Sequence, residues 1–265
     1  MHDLEAICSE TCRIARATGR FILEERKKFS PDKVEYKGFN DLVSYVDKSA
    51  EQQLVSALQP LLPEAGFITE EKTVAFTDKP WQWIIDPLDG TTNFIHGVPC
   101  FCVSIALMKN NKLVMGVIFE PNLDECYYSH EGGQAYMNGK VINVSSTPSL
   151  KSSLVATGFP YSNYERLKPY MEVFDYCMKH TRGVRRLGSA AVDLAYVATG
   201  RFDAFYEYGL NAWDVAAGAF LVQQAGGTAM DFSGGGEFVF GKEIIAANSK
   251  VAKEFLEVLK EKFSS

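Results

Sequence analysis

The chain has 265 residues, 46% of them hydrophobic and 23% charged, with a formal net charge of −6, so it can bury a sizeable core as one large α/β unit or as two subdomains. The negative charge argues against a nucleic-acid-binding protein, because no basic field would attract a phosphate backbone. No apolar run approaches the ~18–20 residues that span a bilayer, and residues 1–5 lack the basic and apolar regions of a signal peptide, so we expect a cytoplasmic protein that binds no membrane.

Two helices are predicted at the start of the chain. In residues 3–29, apolar side chains recur at three- and four-residue steps, which is the spacing of one helix face. Residues 37–40 are predicted to form a loop, and a second helix follows with its apolar face between residues 46 and 61. Ser44 and Asp47 have capping-box spacing at the start of this helix, which gives Asp47 a structural interpretation.

The chain is organised around residues 81–92. The first half of this segment is an apolar, aromatic run of strand length, and the second half places Asp86 and Asp89 on either side of a Pro-Leu pair. Because the proline fixes φ and lacks an N–H, the chain must turn there, and Asp89 can approach Asp86. Gly90 permits a close backbone approach, and Thr91-Thr92 could open a short helix whose free N–H groups attract an anion.

Hard oxygen ligands beside an anion pocket indicate Mg²⁺ and phosphate. The alternative for residues 86–92 is an Asx-turn with N-capping threonines, which needs no ligand. Just before this segment, residues 66–69 are predicted to form a short strand that ends at Glu70-Glu71. Adjacent acids repel each other unless water or a cation lies between them, and a solvated turn is the alternative for this pair.

The rest of the chain is predicted to be an antiparallel run followed by alternating strands and helices. Residues 101–144 form a meander with a hairpin signal at Asn138-Gly139. Beyond residue 150, strands at 154–157, 202–208 and 244–247 alternate with helices at 163–180, 189–199, 215–225 and 250–262. This order predicts a layered α/β fold of the α+β type. We divide it into residues 1–145, which carry most candidate metal ligands, and residues 146–265.

A further acid, Asp214, precedes the predicted helix at 215–225. It occupies a position suited to an N-cap, and an N-cap aspartate could also direct its second oxygen at a cation. Together with Glu70, Asp86 and Asp89 it makes four acids at the ends of predicted elements, which converge on one edge of an α/β layer. Four carboxylates packed together would repel one another unless divalent cations neutralised them.

Other residue types are less informative. The six cysteines include no Cys-x-x-Cys pair, and no histidine lies at zinc spacing, so we expect buried free thiols. Arg182, Arg185 and Arg186 form a basic cluster that is either a solvated loop or an anion contact. No motif for a Cys or Ser nucleophile is present, which favours direct attack by water in any hydrolytic reaction.

Two segments resemble the signatures of the inositol monophosphatase family. Asp86-Pro87-Leu88-Asp89-Gly90-Thr91-Thr92-Asn93 is similar to the first, and Trp213-Asp214-Val215-Ala216-Ala217-Gly218 is similar to the second. Residues 185–201 look most like the bacterial branch, and the resemblance covers nearly the whole chain. It implies the α-β-α-β-α sandwich of that family of sugar phosphatases.

The resemblance implies a Mg²⁺-dependent, lithium-sensitive phosphatase of a small sugar or polyol phosphate, most of all myo-inositol 1-phosphate, and a homodimer. The alternative substrates are fructose 1,6-bisphosphate, histidinol phosphate and adenosine 3′,5′-bisphosphate. An alternative of another class is a regulatory binding protein associated with transcription machinery, for which the arginine cluster could be a contact surface.

The family's residue roles are carried over by motif. Glu70, Asp86 and the Leu88 carbonyl would hold one Mg²⁺, and Asp86, Asp89 and Asp214 a second, with a weaker third ion near Glu70. Together with Glu70, Thr91 and Asp47 would be catalytic, because they would orient and deprotonate the attacking water. The residues implied as substrate contacts are Glu70, Leu88, Asp89, Gly90, Thr91, Arg185, Gly188, Ser189, Ala190, Glu207 and Asp214.

The chain departs from the family pattern at two places. Thr69 precedes Glu70-Glu71 where the family usually has glycine. Residues 157–161 differ from the corresponding loop of animal inositol phosphatases, in which small polar residues can meet the inositol. These differences leave the identity of the substrate open.

Overall fold

The computed structural model describes residues 2–29, 34–38, 41–160 and 163–263, with residues 34–38 and 41–43 described by their backbone alone. The α-helices in these ranges are α1 (Leu4–Lys28), α2 (Tyr45–Leu58), α3 (Thr91–His96), α4 (Leu167–His180), α5 (Ala190–Ala198), α6 (Ala212–Gln224) and α7 (Ser249–Phe263). The strands are β1 (Val34–Gly38), β2 (Asp41–Ser44), β3 (Gly66–Thr69), β4 (Trp81–Asp89), β5 (Cys102–Lys109), β6 (Lys112–Glu120), β7 (Glu125–His130), β8 (Tyr136–Met137), β9 (Lys140–Val141), β10 (Leu154–Thr157), β11 (Gly183–Arg185), β12 (Ala204–Tyr208), β13 (Gly227–Met230) and β14 (Glu243–Asn248).

Two large sheets and one hairpin organise these strands. The first sheet has seven strands in the order β3-β4-β5-β6-β7-β8-β9; β3 and β4 are parallel, and the later pairs are antiparallel. The second has five strands in the order β11-β10-β12-β14-β13, in which β10 is parallel to both of its neighbours and β14 is antiparallel to both of its own. The hairpin consists of β1 and β2.

Helices fill three layers around the two sheets. Helices α1 and α2 cover one face of the seven-stranded sheet, where Leu54 belongs to the same buried cluster as Trp83. Helices α5 and α6 lie between the sheets, and Leu194 shares a cluster with Ile118 of β6. Helices α4 and α7 cover the outer face of the five-stranded sheet around Phe255. The predicted α-β-α-β-α sandwich is confirmed. The division at residues 145 and 146 stays a prediction.

Helix α6 can lie close to the first sheet because a run of small residues is buried in the middle of the helix. Ala216, Ala217 and Gly218 are buried there. A Cβ atom on Gly116 of β6 would lie 2.6 Å from the carbonyl oxygen of Ala217, so the helix backbone lies directly against the strand backbone. This contact fixes the height of α6 above the sheet, and with it the position of Asp214 in its first turn.

Several predicted boundaries need correction. The first helix and the meander are confirmed, but the loop predicted at residues 37–40 is wrong for 37–38, which belong to β1, while 39–40 lie outside the described residues. Apolar and polar residues alternate over Val34-Glu35-Tyr36, which is typical of a strand, and the strand continues to Gly38. The helix predicted at 215–225 begins three residues earlier, at Ala212. No helix in the part of the chain described is long and apolar enough to cross a membrane.

Candidate active site

Three of the predicted acids meet at one edge of the seven-stranded sheet. Asp86 and Asp89 lie at the end of β4, and Asp214 lies in the first turn of α6. One carboxylate oxygen from each lies within 4.8 Å of the others. Glu70, which follows β3, interacts with Asp86 through its carboxyl group. The four acids are scattered along the chain from Glu70 to Asp214, and they lie together as the sequence predicts.

A β-bulge brings Asp86 and Asp89 to the same side of the sheet. Residues three apart on a regular strand point to opposite faces. Here Asp86 pairs with Ser104 and Asp89 pairs with Cys102, so that three steps along β4 match two steps along β5. The extra residue at Pro87-Leu88 therefore returns both carboxylates to one side, as bulges next to functional sites do.

Burial and mutual repulsion raise the pKa values of these acids. Burial, followed by the charges of Glu70, Asp89 and Asp214, raises the pKa of Asp86 well above its usual range. Burial also raises the pKa of Asp89, and burial together with the charge of Asp89 raises the pKa of Asp214 to about 7. Buried like charges are costly unless a cation compensates them. The set of hard oxygen donors therefore fits a divalent cation such as Mg²⁺.

Hydrogen bonds occupy one oxygen of each carboxylate in the trio. Leu88 N donates to Asp86 Oδ1 over 2.9 Å, which is the Asx-turn considered for this segment. Asn211 N donates to Asp214 Oδ2 over 2.6 Å. The N-cap of α6 is therefore Asn211, and the prediction that Asp214 is the N-cap is wrong: the helix starts earlier, and Asp214 closes a capping box instead.

Asp89 is tied to the start of α5. Its Oδ2 accepts hydrogen bonds from Ser189 Oγ over 2.6 Å and from Ala191 N over 2.7 Å. Ser189 is the N-cap of α5, and the positive end of the helix dipole favours the nearby carboxylate. The predicted substrate-binding segment Gly188-Ser189-Ala190 therefore also fixes the orientation of a candidate metal ligand.

Asp47 and Thr91 are in direct contact, as their predicted joint role requires. Thr91 Oγ1 lies 2.8 Å from Asp47 Oδ1 and 3.0 Å from the Leu88 carbonyl oxygen. Asp47 Oδ2 accepts from Ser44 N and Ser44 Oγ over 2.9 and 2.6 Å, so the capping box is formed as well. The structural and the catalytic interpretations of Asp47 use different oxygens of the same fully buried carboxylate.

A second acid on α2 holds the segment that carries Glu70. Glu51 is fully buried, and its carboxylate accepts from Glu71 N over 2.7 Å and from Thr73 N and Thr73 Oγ1 over 2.7 and 2.8 Å. The solvated turn considered for Glu70-Glu71 is thus a turn fixed by Glu51. Sequence reasoning missed this residue, whose only signal is its position one helical turn after Asp47.

Glu207 approaches the same site from β12. It is buried, and burial followed by the charge of Asp214 raises its pKa well above its usual range, while Arg186 lowers it. A Cβ atom on Gly158 would overlap both carboxylate oxygens of Glu207. The loop after β10 therefore lies directly against this carboxylate, and a larger residue than glycine at this position would displace the Glu207 side chain.

The two neighbouring arginines have different surroundings. The guanidinium of Arg185, a predicted substrate contact, donates to its neighbour's carbonyl, Val184 O, over 3.0 Å. Arg186 was not predicted to belong to the site, yet its charge acts on Asp89, Asp193 and Glu207. The sequence signal for Arg186 was the basic cluster, which does not tell which of its members faces the acids.

Asn93 and Gly90 shape the turn beside the acids. Asn93 Nδ2 donates to the Cys100 and Leu187 carbonyl oxygens over 2.7 and 2.8 Å, which joins α3 to the loop before α5. Gly90 is the N-cap of α3 in the left-handed region, with φ of 96°, a conformation that favours glycine. These contacts bring the predicted anion pocket and the segment 188–190 to one place.

Known proteins resemble this chain over nearly its whole length. The sequence model of the inositol monophosphatase family matches residues 3–263. The chain is 42% identical to the Nus factor SuhB of Pseudomonas aeruginosa, with 93% of each chain covered. It is 38% identical to the inositol-1-monophosphatase of Mesorhizobium japonicum, with 98% of each covered. The crystal structure of the extragenic suppressor protein suhB from Bartonella henselae matches with a TM-score of 0.90 and 37% identity, covering 97% of this chain and 99% of that one.

Proposed function

This chain belongs to the inositol monophosphatase family, and on that premise we propose that it hydrolyses a small polyol phosphate monoester, with myo-inositol 1-phosphate as the first candidate. It is a phosphatase, a phosphoric monoester hydrolase. The observation that carries the finer proposal is the trio of Asp86, Asp89 and Asp214, each of which has one carboxylate oxygen within 4.8 Å of those of the other two. Such a donor set fits Mg²⁺.

We assign the metal ligands as follows. Glu70, Asp86 and the Leu88 carbonyl would hold one Mg²⁺, and Asp86, Asp89 and Asp214 a second, with Asp86 shared. A weaker third ion would lie near Glu70. When bound, paired divalent cations lower the pKa of water toward neutrality and stabilise both the attacking and the leaving oxygens of an in-line displacement. The hydrogen bonds to one oxygen of each carboxylate orient the trio for this purpose.

The proposed proton path runs through Thr91 to Asp47. When Asp47 is ionised, the hydroxyl group of Thr91 donates its single hydrogen bond to Asp47 Oδ1. The lone pairs of Thr91 Oγ1 are then able to accept a proton from the attacking water. Glu70 would help to position the same water. Because the second oxygen of Asp47 is held by Ser44, the base cannot rotate away from Thr91.

Residues from both the first part of the chain, 1–145, and the second part, 146–265, would hold the substrate. The Gly90 and Thr91 amides, at the start of α3, would bind the phosphate oxygens, and Glu207 would accept hydrogen bonds from hydroxyl groups of the leaving alcohol. The turn at residues 188–190 and Arg185 are the other proposed contacts. Glu207 lies directly against Gly158, so the loop after β10 would border the leaving-group end of the site.

A substrate panel tests the proposal. Phosphate release is measured with Mg²⁺ from myo-inositol 1-phosphate, fructose 1,6-bisphosphate, histidinol phosphate and adenosine 3′,5′-bisphosphate, each with and without Li⁺. We expect the highest kcat/KM for the inositol ester, inhibition by Li⁺, and loss of turnover in Asp89→Asn. A folded, Mg²⁺-loaded sample that hydrolyses none of the four would exclude the proposed reaction.

A regulatory binding function is the second candidate, because the relative in Pseudomonas aeruginosa is called a Nus factor. A protein that only binds a partner has no need of four converging acids. Turnover by the purified chain alone, abolished in Asp89→Asn, would favour the enzyme. Inactive wild-type protein that nevertheless binds components of a transcription complex would favour the alternative.

We further propose a cytoplasmic homodimer that binds no nucleic acid. The net charge of −6 and six free cysteines, which are typical of a reducing compartment, support this. Phe76 and Phe240 are 64% and 52% exposed and line one cavity of about 550 Å³ beside Trp213, where a second copy could cover them. Light scattering of the purified protein would measure its mass.

A further inference from the structure

Glu51 of α2 binds the turn that follows β3 through both of its carboxylate oxygens. The side chain is fully buried, and Oε2 accepts a hydrogen bond from Glu71 N over 2.7 Å. The other oxygen, Oε1, accepts from Thr73 N and Thr73 Oγ1 over 2.7 and 2.8 Å. A carboxylate only accepts hydrogen bonds, whereas the amide of glutamine would place an NH₂ group against these donors. The three donors of the turn therefore match an acid at position 51 and not its amide.

Glu70 lies between two anchored amides. Its own N–H donates to the Ile85 carbonyl oxygen of β4 over 3.3 Å, whereas the next amide, that of Glu71, donates to Glu51 on α2. The backbone at Glu70 is thus held by the sheet on one side and by the helix on the other. The Glu70 carboxyl group interacts with that of Asp86, the residue after Ile85. Loss of Glu51 would release the second anchor and leave the first.

One turn of α2 carries both Asp47 and Glu51. Residues four apart lie one above the other on the same helix face, and both side chains are fully buried. Asp47 contacts Thr91, which follows the acids of β4, and Glu51 contacts the residues that follow Glu70. The helix backbone therefore sets a constant spacing between the proposed base and the support of a proposed metal ligand.

We propose that Glu51 is a positioning residue for the metal ion that Glu70 would hold. By fixing the turn, it keeps the Glu70 carboxylate directed at Asp86. The inference rests on the proposed two-metal phosphatase reaction and deepens it, because it assigns different supports to the two ions. The hydrogen bonds of Glu51 go to the turn after Glu70, whereas Asp89 and Asp214 are held by other partners.

A competing explanation is that Glu51 only stabilises the fold. Its removal would then lower the free energy of unfolding and leave Mg²⁺ binding by the folded protein unchanged. Glu120 offers a matched comparison, because it is also a buried acid. It accepts from Asn122 N, Asn122 Nδ2 and Leu123 N over 3.0, 2.6 and 2.7 Å. Each acid thus binds two backbone amides and one side-chain donor of a turn, but the turn after β6 contains no candidate ligand.

Calorimetric Mg²⁺ titration of wild type, Glu51→Gln, Glu120→Gln and Glu70→Gln provides a readout that does not need turnover. In Glu51→Gln one acceptor oxygen is replaced by an NH₂ group, which cannot accept from the turn. We expect Mg²⁺ binding at the Glu70 site to weaken by about tenfold and binding of the other ion to change by less than about twofold. Glu120→Gln should lose a similar amount of stability but bind both ions as wild type does.

The double variant tests whether Glu51 acts through Glu70. If it does, Glu51→Gln/Glu70→Gln should bind Mg²⁺ no more weakly than Glu70→Gln alone, since the ligand that Glu51 orients is already gone. Additive losses would overturn the inference, and so would a Mg²⁺ affinity in Glu51→Gln equal to that in Glu120→Gln. An unchanged affinity in Glu70→Gln would overturn it as well, because Glu70 would then hold no ion.

Thr73→Val provides a second test, which leaves Glu51 in place and decides the question if Glu51→Gln does not fold. It removes one of the three donors with little change of shape, so we expect Mg²⁺ binding at the Glu70 site to weaken by about threefold. Thr73→Ser keeps the hydroxyl group and should bind as wild type does. Equal affinities in the two variants would contradict the role of Glu51. Wild-type protein that shows these Mg²⁺ effects but releases no phosphate would count against the reaction alone.

Discussion

Ser189 Oγ donates a hydrogen bond to Asp89 Oδ2 over 2.6 Å, although the two residues are 100 positions apart. The bond joins the end of β4 to the N-cap of α5 and holds one of the two carboxylate oxygens of Asp89. We therefore expect Ser189→Ala to weaken Mg²⁺ binding by about 10- to 100-fold, as the loss of a partner that orients a metal ligand usually does. Calorimetric Mg²⁺ titration measures this.

Ser189 is also a helix cap, so its removal should lower the free energy of unfolding by about 1 kcal/mol. Asp3→Ala is the matched control, because Asp3 caps α1 through a 3.0 Å bond from Ala6 N, far along the chain from the acids. The control should lose a similar amount of stability but keep its Mg²⁺ affinity. Equal Mg²⁺ affinities in the two variants would contradict the role of Ser189 in orienting Asp89.

Removal of the Thr91 hydroxyl should affect turnover far more than substrate binding. If Thr91 Oγ1 passes the proton of water to Asp47, Thr91→Ala should lower kcat by about 10²- to 10⁴-fold with little change in KM. Steady-state kinetics on the best substrate of the panel measures the split. Thr91→Ser should restore most of the rate, and Thr92→Ala should behave like wild type. A KM effect without a kcat effect would refute the proton path.

The stability of the metal-free protein should fall as the pH rises. The pKa of Asp214 is about 7 in the folded chain and about 4 in an unfolded one. Between these values the folded state binds more protons than the unfolded state, so the free energy of unfolding decreases with increasing pH. Thermal unfolding in chelator at pH 5.5 and 7.5 should give the lower Tm at pH 7.5.

The same reasoning predicts the response to Mg²⁺. Cations bind the deprotonated carboxylates, so added Mg²⁺ should raise Tm by more at pH 7.5 than at pH 5.5. Asp89→Asn removes one of the repelling charges, and it should flatten the pH dependence in chelator. A Tm increment from Mg²⁺ that is independent of pH would show that the cation binds elsewhere.

A methyl group on Gly158 should change how the enzyme treats its leaving group. In Gly158→Ala the new Cβ would collide with the Glu207 carboxylate and force it to rotate. We expect KM for the polyol phosphate to rise by about tenfold, with the rate on p-nitrophenyl phosphate unchanged. Gly236→Ala, where a Cβ atom meets nothing within 4 Å, is the control. Equal kinetics of both variants would show that Glu207 does not contact the substrate.

The sequence predicts the layers of this fold well and its short strands poorly. The amphipathic pattern of α1 can be recognised in the sequence because its buried residues repeat every three or four positions over a long helix. Strands such as Gly183–Arg185 are only three residues long, too short to show an alternating pattern. They exist because β10 offers them an edge, and that edge is a property of the assembled sheet.

The candidate site divides in the same way. The acids at Asp86 and Asp89 could be found from one local motif, and Asp214 from another. Glu51 and Asp193 could not, because a buried acid in a helix looks like a solvated one until its surroundings are known. Similarly, adjacent arginines have the same sequence signal, and only the backbone direction after β11 separates Arg186, beside the acids, from Arg185.

The contact between Gly116 and the Ala217 carbonyl oxygen has a consequence for how this site can vary. The distance from Asp214 to the acids on β4 depends on how closely α6 approaches β6. Because residue 116 is glycine, only a hydrogen atom stands between the β6 backbone and the Ala217 carbonyl oxygen. The spacing of the acids at the candidate metal centre therefore depends on the apolar contact between α6 and β6. A relative that kept every acid but carried alanine at this position would have a wider centre, and a change in cation preference could arise there without any substitution among the ligands.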